Sequence, residues 1–399
     1  MPWKETDVMK EKEKFISEML KNEKPFKHLC ADFGISEKTG HKWKNRFFEE
    51  GKLGLLEQSK APKSSPASLP EQTVINIVKL KQQHPFWGPK KMHELYPKIH
   101  KEEEAPSLSS VKRILEKAGL VKRRRVRTVT PDSSRLRNRI LPQACNDVWA
   151  IDFKGWWKSD GELCEPFTVR DLHSRFLLEA RLMESKTSEA VREVMTELFR
   201  KHGLPKVIRS DNGTPFAAPN GILSLTNLSA WWITLGILPD RTDKGKPCQN
   251  GSLERMHADI AAEIQGRIPG GRRKNQAALD LWREEYNNVR PNEAIDMKTP
   301  AEVYVPSERK YVGDFDDLEY PPGFLPRKVM KGGVISLFSL RISIGFSLRG
   351  LTVGLKELEN GKYHVFLADF LLGELDRDLC CFSPLDKVES IEGDHDPKH

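Results

Sequence analysis

The sequence contains little cysteine and no long apolar run. Its six cysteines, at positions 30, 145, 164, 248, 380 and 381, form no C-x-x-C pair and no Cys/His spacing typical of zinc. The most apolar stretch, VISLFSLRISIGFSL, is broken by Arg341 and is shorter than a membrane span. The N-terminus lacks a signal-peptide pattern, and no fixed-period repeat is present. These absences argue against a disulfide scaffold, a zinc site and a membrane protein, and they favour a soluble intracellular protein with reduced thiols.

Positive charge exceeds negative charge in this chain. There are 65 Lys and Arg residues against 57 Asp and Glu residues, which gives a net charge of +8 and an isoelectric point near 9.0. Residues 121–140 alone carry eight basic residues and one acidic residue. A charge run is usually a solvated tail, but this one joins two predicted domains, so we interpret it as a segment that follows DNA phosphates. Its predicted DNA contacts are Arg123, Arg124, Arg125 and Arg127.

Residues 1–58 predict a helix-turn-helix domain. Gly34 predicts a turn, and Ser36 is the predicted N-cap of a helix that continues to about Glu49. This helix would present polar side chains to a DNA groove while Trp43 packs inward. A small three-helix domain that binds no DNA has the same pattern, but the basic helix favours DNA binding. The predicted DNA contacts are Lys38, Thr39, His41 and Lys42.

A second helical module is predicted at residues 70–122, after a linker at 59–69 that is rich in Pro, Ser and Lys. Its first helix ends before Pro85, its second begins at Pro89, and its third is capped by Ser107. The module reads either as a second DNA-binding domain or as a packing domain without DNA contact. A basic linker at 123–145 follows.

The central residues, 146–310, predict an α/β core. Strand candidates are residues 148–157, 165–170 and 176–182, and a helix capped by Thr187 or Ser188 follows them. The apolar residues of that helix recur at i, i+3, i+4, i+7 and i+8. They are Val191, Val194, Met195, Leu198 and Phe199.

Three carboxylates within the core form the candidate catalytic site. Asp152 interrupts an apolar strand, where a charge is costly unless it is paired or bound to a metal. Asp211 follows a short strand and precedes the turn-forming Asn212-Gly213. Glu254 lies at the edge of a helix whose apolar face is marked by Leu253, Met256, Ile260 and Ile264.

These residue types suit phosphodiester chemistry. Two Mg²⁺ ions roughly 3.5–4 Å apart can stabilise the attacking and the leaving oxygen of an in-line displacement. Mg²⁺ keeps several waters and takes carboxylate oxygens as ligands, so a few Asp and Glu side chains suffice. We therefore predict that Asp152, Asp211 and Glu254 are both catalytic residues and ligands of two Mg²⁺ or Mn²⁺ ions.

Each carboxylate also has a simpler interpretation. Asp211 can be an ordinary turn former, Glu254 a solvated helix residue, and Asp152 a buried acid held by hydrogen bonds. Their order and context together favour the functional interpretation. Nearby, Arg241, Lys244 and Lys246 are predicted phosphate contacts, and His257 either faces the cleft or packs on the helix surface.

The last part of the chain, 325–388, predicts a small β-barrel. Short strands alternate with turns, including ISLFSL, RISIGF, LTVGLKEL and YHVFLADF, and Asn360-Gly361 is a hairpin signal. Residues 389–399 are predicted to be disordered.

Seven segments in this order carry a resemblance to a known family: MPWKETDVMKEKEKFI, CADFGISEKTGHKW, VWAIDFKGWW, PFTVRDLHSRFLLEA, HGLPKVIRSDNG, QNGSLERMH and YNNVRPNEAIDMKTPAEVY. Together they resemble integrase-type DDE transposases of bacterial insertion sequences, nearest the four-eighty-one family. The resemblance covers nearly the whole chain. It departs from the family at PNGILSLTN and RTDKGKPC, near Asp211 and Glu254.

The resemblance implies a multidomain protein: all-α helix-turn-helix modules, an α/β RNase H-like core with a mixed sheet, and a β-barrel. Asp152, Asp211 and Glu254 match the acidic triad of the family. The implied function is a DNA transposase that cleaves 3′ ends of an insertion sequence and joins them to target DNA. Double-stranded DNA is the expected partner, a homo-oligomer on DNA is expected, and neither a membrane nor an organic cofactor is involved. The expected location is the bacterial cytoplasm, at the nucleoid.

Two alternative functions remain from the sequence. One is an RNase H-like nuclease that cuts without joining, and the other is a catalytically dead DNA-binding regulator or transposon remnant. A covalent product between donor and target DNA would separate the first from a transposase. Metal-dependent activity would separate the second from both.

Overall fold

The computed structural model describes residues 7–57, 69–121, 140–218, 221–242, 251–314, 318–358 and 361–390. The chain divides into two compact units, Met1–Leu69 and Pro70–His399. Among the helices of the described part, none is long and apolar enough to cross a membrane.

The first unit contains three helices and a short 3-10 helix. Ser36 caps the third helix by accepting a hydrogen bond from the backbone N–H of Thr39, as predicted. Gly40 lies where that helix crosses the second one, and a Cβ there would come within 2.5 Å of Cys30 Sγ. Trp43 is buried, in agreement with the sequence analysis. The elements are α1 (Val8–Lys21), α2 (Phe26–Asp32), α3 (Glu37–Glu50) and the 3-10 helix Gly51–Leu55.

The second unit begins with three helices around an aromatic core. Trp87 and Tyr96 are buried with Met92 and Leu115. The predicted cap is present, because the Ser107 side chain accepts from Ser110 N. These helices are α4 (Glu71–Gln83), α5 (Pro89–Ile99) and α6 (Leu108–Lys117).

The centre of the second unit is a five-stranded mixed sheet, as the resemblance implied. Its strand order is β5-β4-β1-β6-β7; β1 pairs antiparallel with β4 and parallel with β6. The predicted strand at 148–157 is two strands, because the chain leaves the sheet after Phe153 and forms a hairpin at Asp160-Gly161. The strands are β1 (Val148–Phe153), β2 (Trp157–Ser159), β3 (Glu162–Cys164), β4 (Pro166–Asp171), β5 (Leu177–Leu182), β6 (Val207–Ser210) and β7 (Leu238–Arg241).

Helices cover both faces of the sheet. The five apolar residues predicted for the helix after Thr187 are all buried on one face, where Thr187 is the N-cap. The other face packs against the helices that follow β7. The helices are α7 (Ser188–His202), α8 (Asn227–Thr234), α9 (Gly251–Glu263), α10 (Gly271–Asn288) and α11 (Pro300–Val303), with 3-10 turns at Ile222–Ser224 and Glu293–Ile295.

Alternation along β1 sends neighbouring side chains to opposite faces. Trp149 and Ile151 join the cluster that contains α7, whereas Val148 and Ala150 join the cluster that contains α9. Asp152 is two residues beyond Ala150, so its side chain points to the α9 face.

The C-terminal part is not a closed barrel, which corrects the sequence expectation. It contains an open five-stranded sheet, ordered β14-β13-β12-β11-β8, and a separate two-stranded sheet. The apolar residues of the five-stranded sheet form one cluster with Ile335 and Ile342 of the two-stranded sheet and with Ala230 and Ile233 of α8, so the five strands do not close on themselves. The strands are β8 (Phe324–Lys328), β9 (Val334–Leu337), β10 (Leu340–Ser343), β11 (Thr352–Glu357), β12 (Lys362–Leu367), β13 (Phe370–Asp376) and β14 (Cys381–Ser390), with a 3-10 helix at Phe346–Leu348. The predicted hairpin residue Asn360 and residues 391–399 of the predicted disordered tail lie outside the described residues. Residues 389 and 390 of that tail are the end of β14, which corrects this part of the prediction.

Candidate active site

Asp152 and Asp211 lie at the carboxyl ends of neighbouring parallel strands. The ladder between β1 and β6 pairs Val148 with Val207 and Ala150 with Arg209. The same offset, continued by two residues on each strand, brings Asp152 opposite Asp211. Parallel pairing therefore brings together two acids that are far apart in sequence.

Asp211 also shapes its own loop. Its Oδ1 accepts a hydrogen bond from the backbone N–H of Gly213 at 3.1 Å, which is the turn-forming role that the sequence suggested. A Cβ at Gly213 would lie 3.0 Å from Asp211 Oδ2, so the close approach of backbone to carboxylate favours glycine here. Asn212 donates to the carbonyl of Thr242 at 2.5 Å and ties this loop to the end of β7. The turn role is confirmed and leaves the second carboxylate oxygen for other contacts.

Glu254 lies in the first turn of α9. The predicted apolar face of this helix is buried, since Leu253, Met256 and Ile260 pack against the β1 face to which Asp152 points. Glu254 itself is exposed, at the edge of that face. The helix therefore carries the third acid to the side of the sheet where Asp152 lies.

The other two acids act electrostatically on Asp152. Burial, together with the charges of Asp211 and Glu254, raises the pKa of Asp152 to about 7, although the Phe153 backbone N–H and Lys186 lower it. Within the described part of the chain, no three His, Cys, Asp or Glu side chains are grouped closely enough to hold a metal ion as they stand.

The donor set fits a hard divalent cation. Mg²⁺ is commonly held by one or two carboxylates and completes its shell with water, so a closed cage of protein ligands is not required. A carboxylate whose charge is disfavoured by burial and by two other acids is stabilised by a nearby cation. Asp152, Asp211 and Glu254 therefore suit such an ion, with Asp152 receiving the largest electrostatic benefit.

His257 faces Asp152, which resolves one alternative left open by the sequence. Its Nδ1 lies 3.9 Å from Asp152 Oδ2, and its Nε2 lies 2.8 Å from Thr168 Oγ1. Burial lowers the pKa of His257 to about 4, helped by the charges of Lys154 and Arg170, so the ring is neutral at pH 7. The contact with Asp152 is therefore not an ion pair at neutral pH.

Sequence reasoning missed two residues of β4 that hold α9. Thr168 hydrogen-bonds His257, and the Arg170 guanidinium donates to the carbonyl of Ser252 at 2.7 Å. The two residues alternate along the strand and therefore point to the same face. A detectable signal was the polar pair at i and i+2 within the apolar run PFTVRD, where the buried Arg170 needs a partner.

The predicted DNA contacts of the first unit lie on α3. Lys38, His41 and Lys42 are exposed, whereas Thr39 is half-buried and its hydroxyl lies 2.9 Å from Ser36 Oγ. His41 also packs against the ring of Phe26, with ring centroids 4.4 Å apart. Three basic or polar side chains on this helix are thus accessible to a ligand.

The predicted contacts near the core differ in accessibility. Arg241 donates to the carbonyl of Leu223 at 2.7 Å, and burial lowers the pKa of its guanidinium. One donor of this guanidinium is therefore used within the protein, and its Nη2 is buried without a hydrogen-bond partner among the described residues, so the side chain is less accessible than the sequence suggested. The other predicted contacts, Arg123, Arg124, Arg125, Arg127, Lys244 and Lys246, lie outside the described residues.

Three stretches of the chain match known domain families. Residues 142–247 match an integrase core domain, and residues 235–300 match a second integrase core domain model. Residues 39–115 match a homeodomain-like domain. The two integrase matches together span β1, β6, β7 and α9, which carry or flank the three acids.

The chain is similar to a protein of a mobile DNA element and to two solved viral structures. The chain is 26% identical over 235 residues to the uncharacterized 31.7 kDa protein of insertion element IS407 from Burkholderia multivorans, covering 58% of this chain and 80% of that protein. It is 15% identical to the HTLV-2 integrase catalytic core domain solved with magnesium. That match has a TM-score of 0.31 and covers 40% of this chain and 97% of the integrase chain. A chain of the simian T-cell lymphotropic virus intasome, solved with PP2A regulatory subunit B56 gamma, is 13% identical. That match has a TM-score of 0.35 and covers 79% of this chain and 98% of the other. At these TM-scores the two structural likenesses carry no conclusion about this chain.

Proposed function

We propose that this chain, which belongs to the insertion-element transposases with an integrase core domain, binds the ends of its element, cleaves them and joins the freed 3′ ends to target DNA. The observation that carries the proposal is that β1 and β6 bring Asp152 and Asp211 to neighbouring strand ends. Burial is the main cause of the raised pKa of Asp152, and the charges of Asp211 and Glu254 add to it, which supports the grouping of the three acids.

In this proposal the three acids hold two Mg²⁺ or Mn²⁺ ions. Such ions stabilise the attacking and the leaving oxygen of the phosphodiester and so make a nucleophilic side chain unnecessary. The chain contributes by positioning: β1 and β6 hold Asp152 and Asp211 side by side, and α9 brings Glu254 to them. Arg170 fixes the first turn of α9 through Ser252.

The remaining domains supply the DNA contacts. Lys38, Thr39, His41 and Lys42 of α3 would enter a groove, and the basic linker would follow the phosphates with Arg123, Arg124, Arg125 and Arg127. Lys244 and Lys246, and to a lesser extent Arg241, would contact phosphates beside the acids. Division of the chain into domains at 1–58, 70–122, 146–310 and 325–388 is part of the proposal. So are a homo-oligomer that brings two DNA ends together and action in the bacterial cytoplasm.

The test is strand transfer in vitro. The full chain is incubated with labelled DNA ends taken from the sequences that flank its gene, with target DNA and with Mg²⁺ or Mn²⁺. We expect joined product from the native protein and none from Asp152→Asn. The matched control is Asp280→Asn on the surface of α10, which should keep activity because the polar partners of Asp280 among the described residues, Gln276 and Arg283, lie on the same helix.

Three other outcomes separate the alternatives. Cleavage without joining would favour a nuclease. DNA binding with neither reaction would favour a regulator or remnant. If Asp152→Asn lost the ability to bind DNA ends as well, the separation of DNA-reading domains from the catalytic core would be wrong.

A further inference from the structure

Thr168 occupies a position between the strand of Asp152 and the helix of Glu254. The antiparallel ladder places it directly opposite Asp152. Its hydroxyl oxygen is 3.1 Å from the backbone carbonyl of Asp152 and 2.8 Å from His257 Nε2. One side chain therefore joins β1 to α9.

The hydroxyl contacts determine which ring nitrogen of His257 carries the proton. A threonine hydroxyl has one hydrogen to donate, and a backbone carbonyl can only accept. Thr168 donates to the Asp152 carbonyl, so its oxygen accepts the second hydrogen bond, from Nε2–H of His257. In the neutral ring Nδ1 is then unprotonated and presents a lone pair.

That lone pair faces a second acceptor. Nδ1 of His257 is 3.9 Å from Asp152 Oδ2. When the Asp152 carboxylate is ionised, the two acceptors form no hydrogen bond with each other, and their arrangement is stabilised when a donor or a cation enters between them. Both groups are largely withdrawn from solvent, with side-chain exposures of 11% for His257 and 21% for Asp152.

Helix α9 is attached to β4 on both sides of Glu254. Arg170, which is 4% exposed, binds the carbonyl of Ser252, and Thr168 binds His257. Since both hydrogen bonds come from one face of β4, they fix the position of α9 and its rotation about its own axis relative to Asp152.

We propose that Thr168 and His257 are positioning residues of the candidate ion site, with His257 Nδ1 accepting a hydrogen bond from the hydration water of a divalent cation held by Asp152. The inference rests on the proposed function of the acidic site. It adds an outer shell to that site, and such shells orient the ligands and raise the affinity for the metal.

The first experiment measures Mn²⁺ affinity of the full chain by the electron paramagnetic resonance signal of free Mn²⁺. We expect Thr168→Val and His257→Phe to weaken binding about 10- to 100-fold, the range typical of outer-shell changes. Thr168→Ser keeps the hydroxyl and should stay near the native affinity. The Mn²⁺ affinity of Asp152→Asn tests whether the ion binds at the proposed acidic site.

The two possible failures are distinguishable. If Asp152→Asn binds Mn²⁺ as tightly as the native protein, the proposed catalytic site is wrong. If Asp152→Asn loses affinity while Thr168→Val and His257→Phe do not, the site stands and the outer-shell inference is overturned.

A second measurement needs no folding-sensitive variant. The ¹⁵N resonances of histidine-labelled native protein report the tautomer of His257. We expect Nε2 to be protonated and Nδ1 bare, and we expect Mg²⁺ to shift the Nδ1 resonance in the native protein but not in Asp152→Asn. A proton on Nδ1, or an Nδ1 resonance unaffected by Mg²⁺, would overturn the inference, because a purely structural histidine needs neither property.

Discussion

Replacing Arg290 by methionine should destabilise the second unit strongly. Arg290 is 4% exposed, and its guanidinium lies 2.8 Å from Asp259 and 3.1 Å from Glu263. The same group lies over the rings of Trp87, Trp282 and Tyr286, at 5.6, 6.0 and 5.7 Å from their centroids. It therefore joins the helical module at the start of this unit to α9 and α10.

The expected loss follows from the two carboxylates left behind. Removing one partner of a buried ion pair costs about 3–5 kcal/mol, because the other charge stays buried without compensation. Burial already raises the pKa of Glu263 even though Arg290 and the Trp282 indole lower it, so this carboxylate depends on its cation. Loss of the cation–π contacts adds about 0.5–1 kcal/mol. We expect the free energy of unfolding to fall by at least about 3 kcal/mol.

The assay is urea unfolding followed by tryptophan fluorescence. Native protein and Arg290→Met are compared with a triple variant that also carries Asp259→Asn and Glu263→Gln. The triple variant should regain much of the loss, because neutral side chains are cheaper to bury than unpaired charges. A loss below about 1 kcal/mol in Arg290→Met, or a triple variant no more stable than the single one, would refute the reasoning.

Two further predictions concern pH and salt. Burial lowers the pKa of His202 to about 4 from an ordinary value near 6.5, so its contribution to stability is complete above pH 6.5 and is lost as the pH falls toward 4. We expect His202→Phe to remove about 2–3 kcal/mol of the pH dependence of the free energy of unfolding. As a control, His28→Gln at an exposed position should leave that pH dependence unchanged. If His202→Phe had the same pH profile as the native protein, the argument would be contradicted. Replacing Arg123, Arg124 and Arg125 by alanine should weaken DNA binding for all sequences. The slope of log K against log salt should fall by roughly 0.9 per lost phosphate contact, and an unchanged slope would show that the basic linker does not touch DNA.

Local features were predicted well where one chemical signal determines them. The N-caps at Ser36, Ser107 and Thr187 are present, because a side-chain oxygen beside an unpaired N–H acts within four residues. The apolar repeat after Thr187 is buried as predicted, because helical periodicity alone selects one face. The mixed sheet was expected from the family resemblance and is present in the structure.

Features that depend on distant contacts were predicted less well. The C-terminal strands were expected to close into a barrel, but the structure contains an open five-stranded sheet and a separate two-stranded sheet. Their apolar residues form one cluster with Ala230 and Ile233 of α8, and nothing in the strand sequences indicates that this helix takes part. The hydrogen bond from Arg241 to the carbonyl of Leu223 was also not foreseen, because a basic residue gives no sign of a distant carbonyl that the fold brings to it.

The sequence by itself determined the kinds of residue at the candidate site: an acid in an apolar strand, an acid before a turn, and an acid on an amphipathic helix. Only the tertiary structure decided how they are placed, because parallel pairing of β1 with β6 aligns Asp152 with Asp211, and α9, which carries Glu254, packs on the face to which Asp152 points. The roles of Thr168 and His257 also arise only there. A hydroxyl and a ring 89 positions apart acquire a defined proton arrangement when the fold brings them within hydrogen-bonding distance.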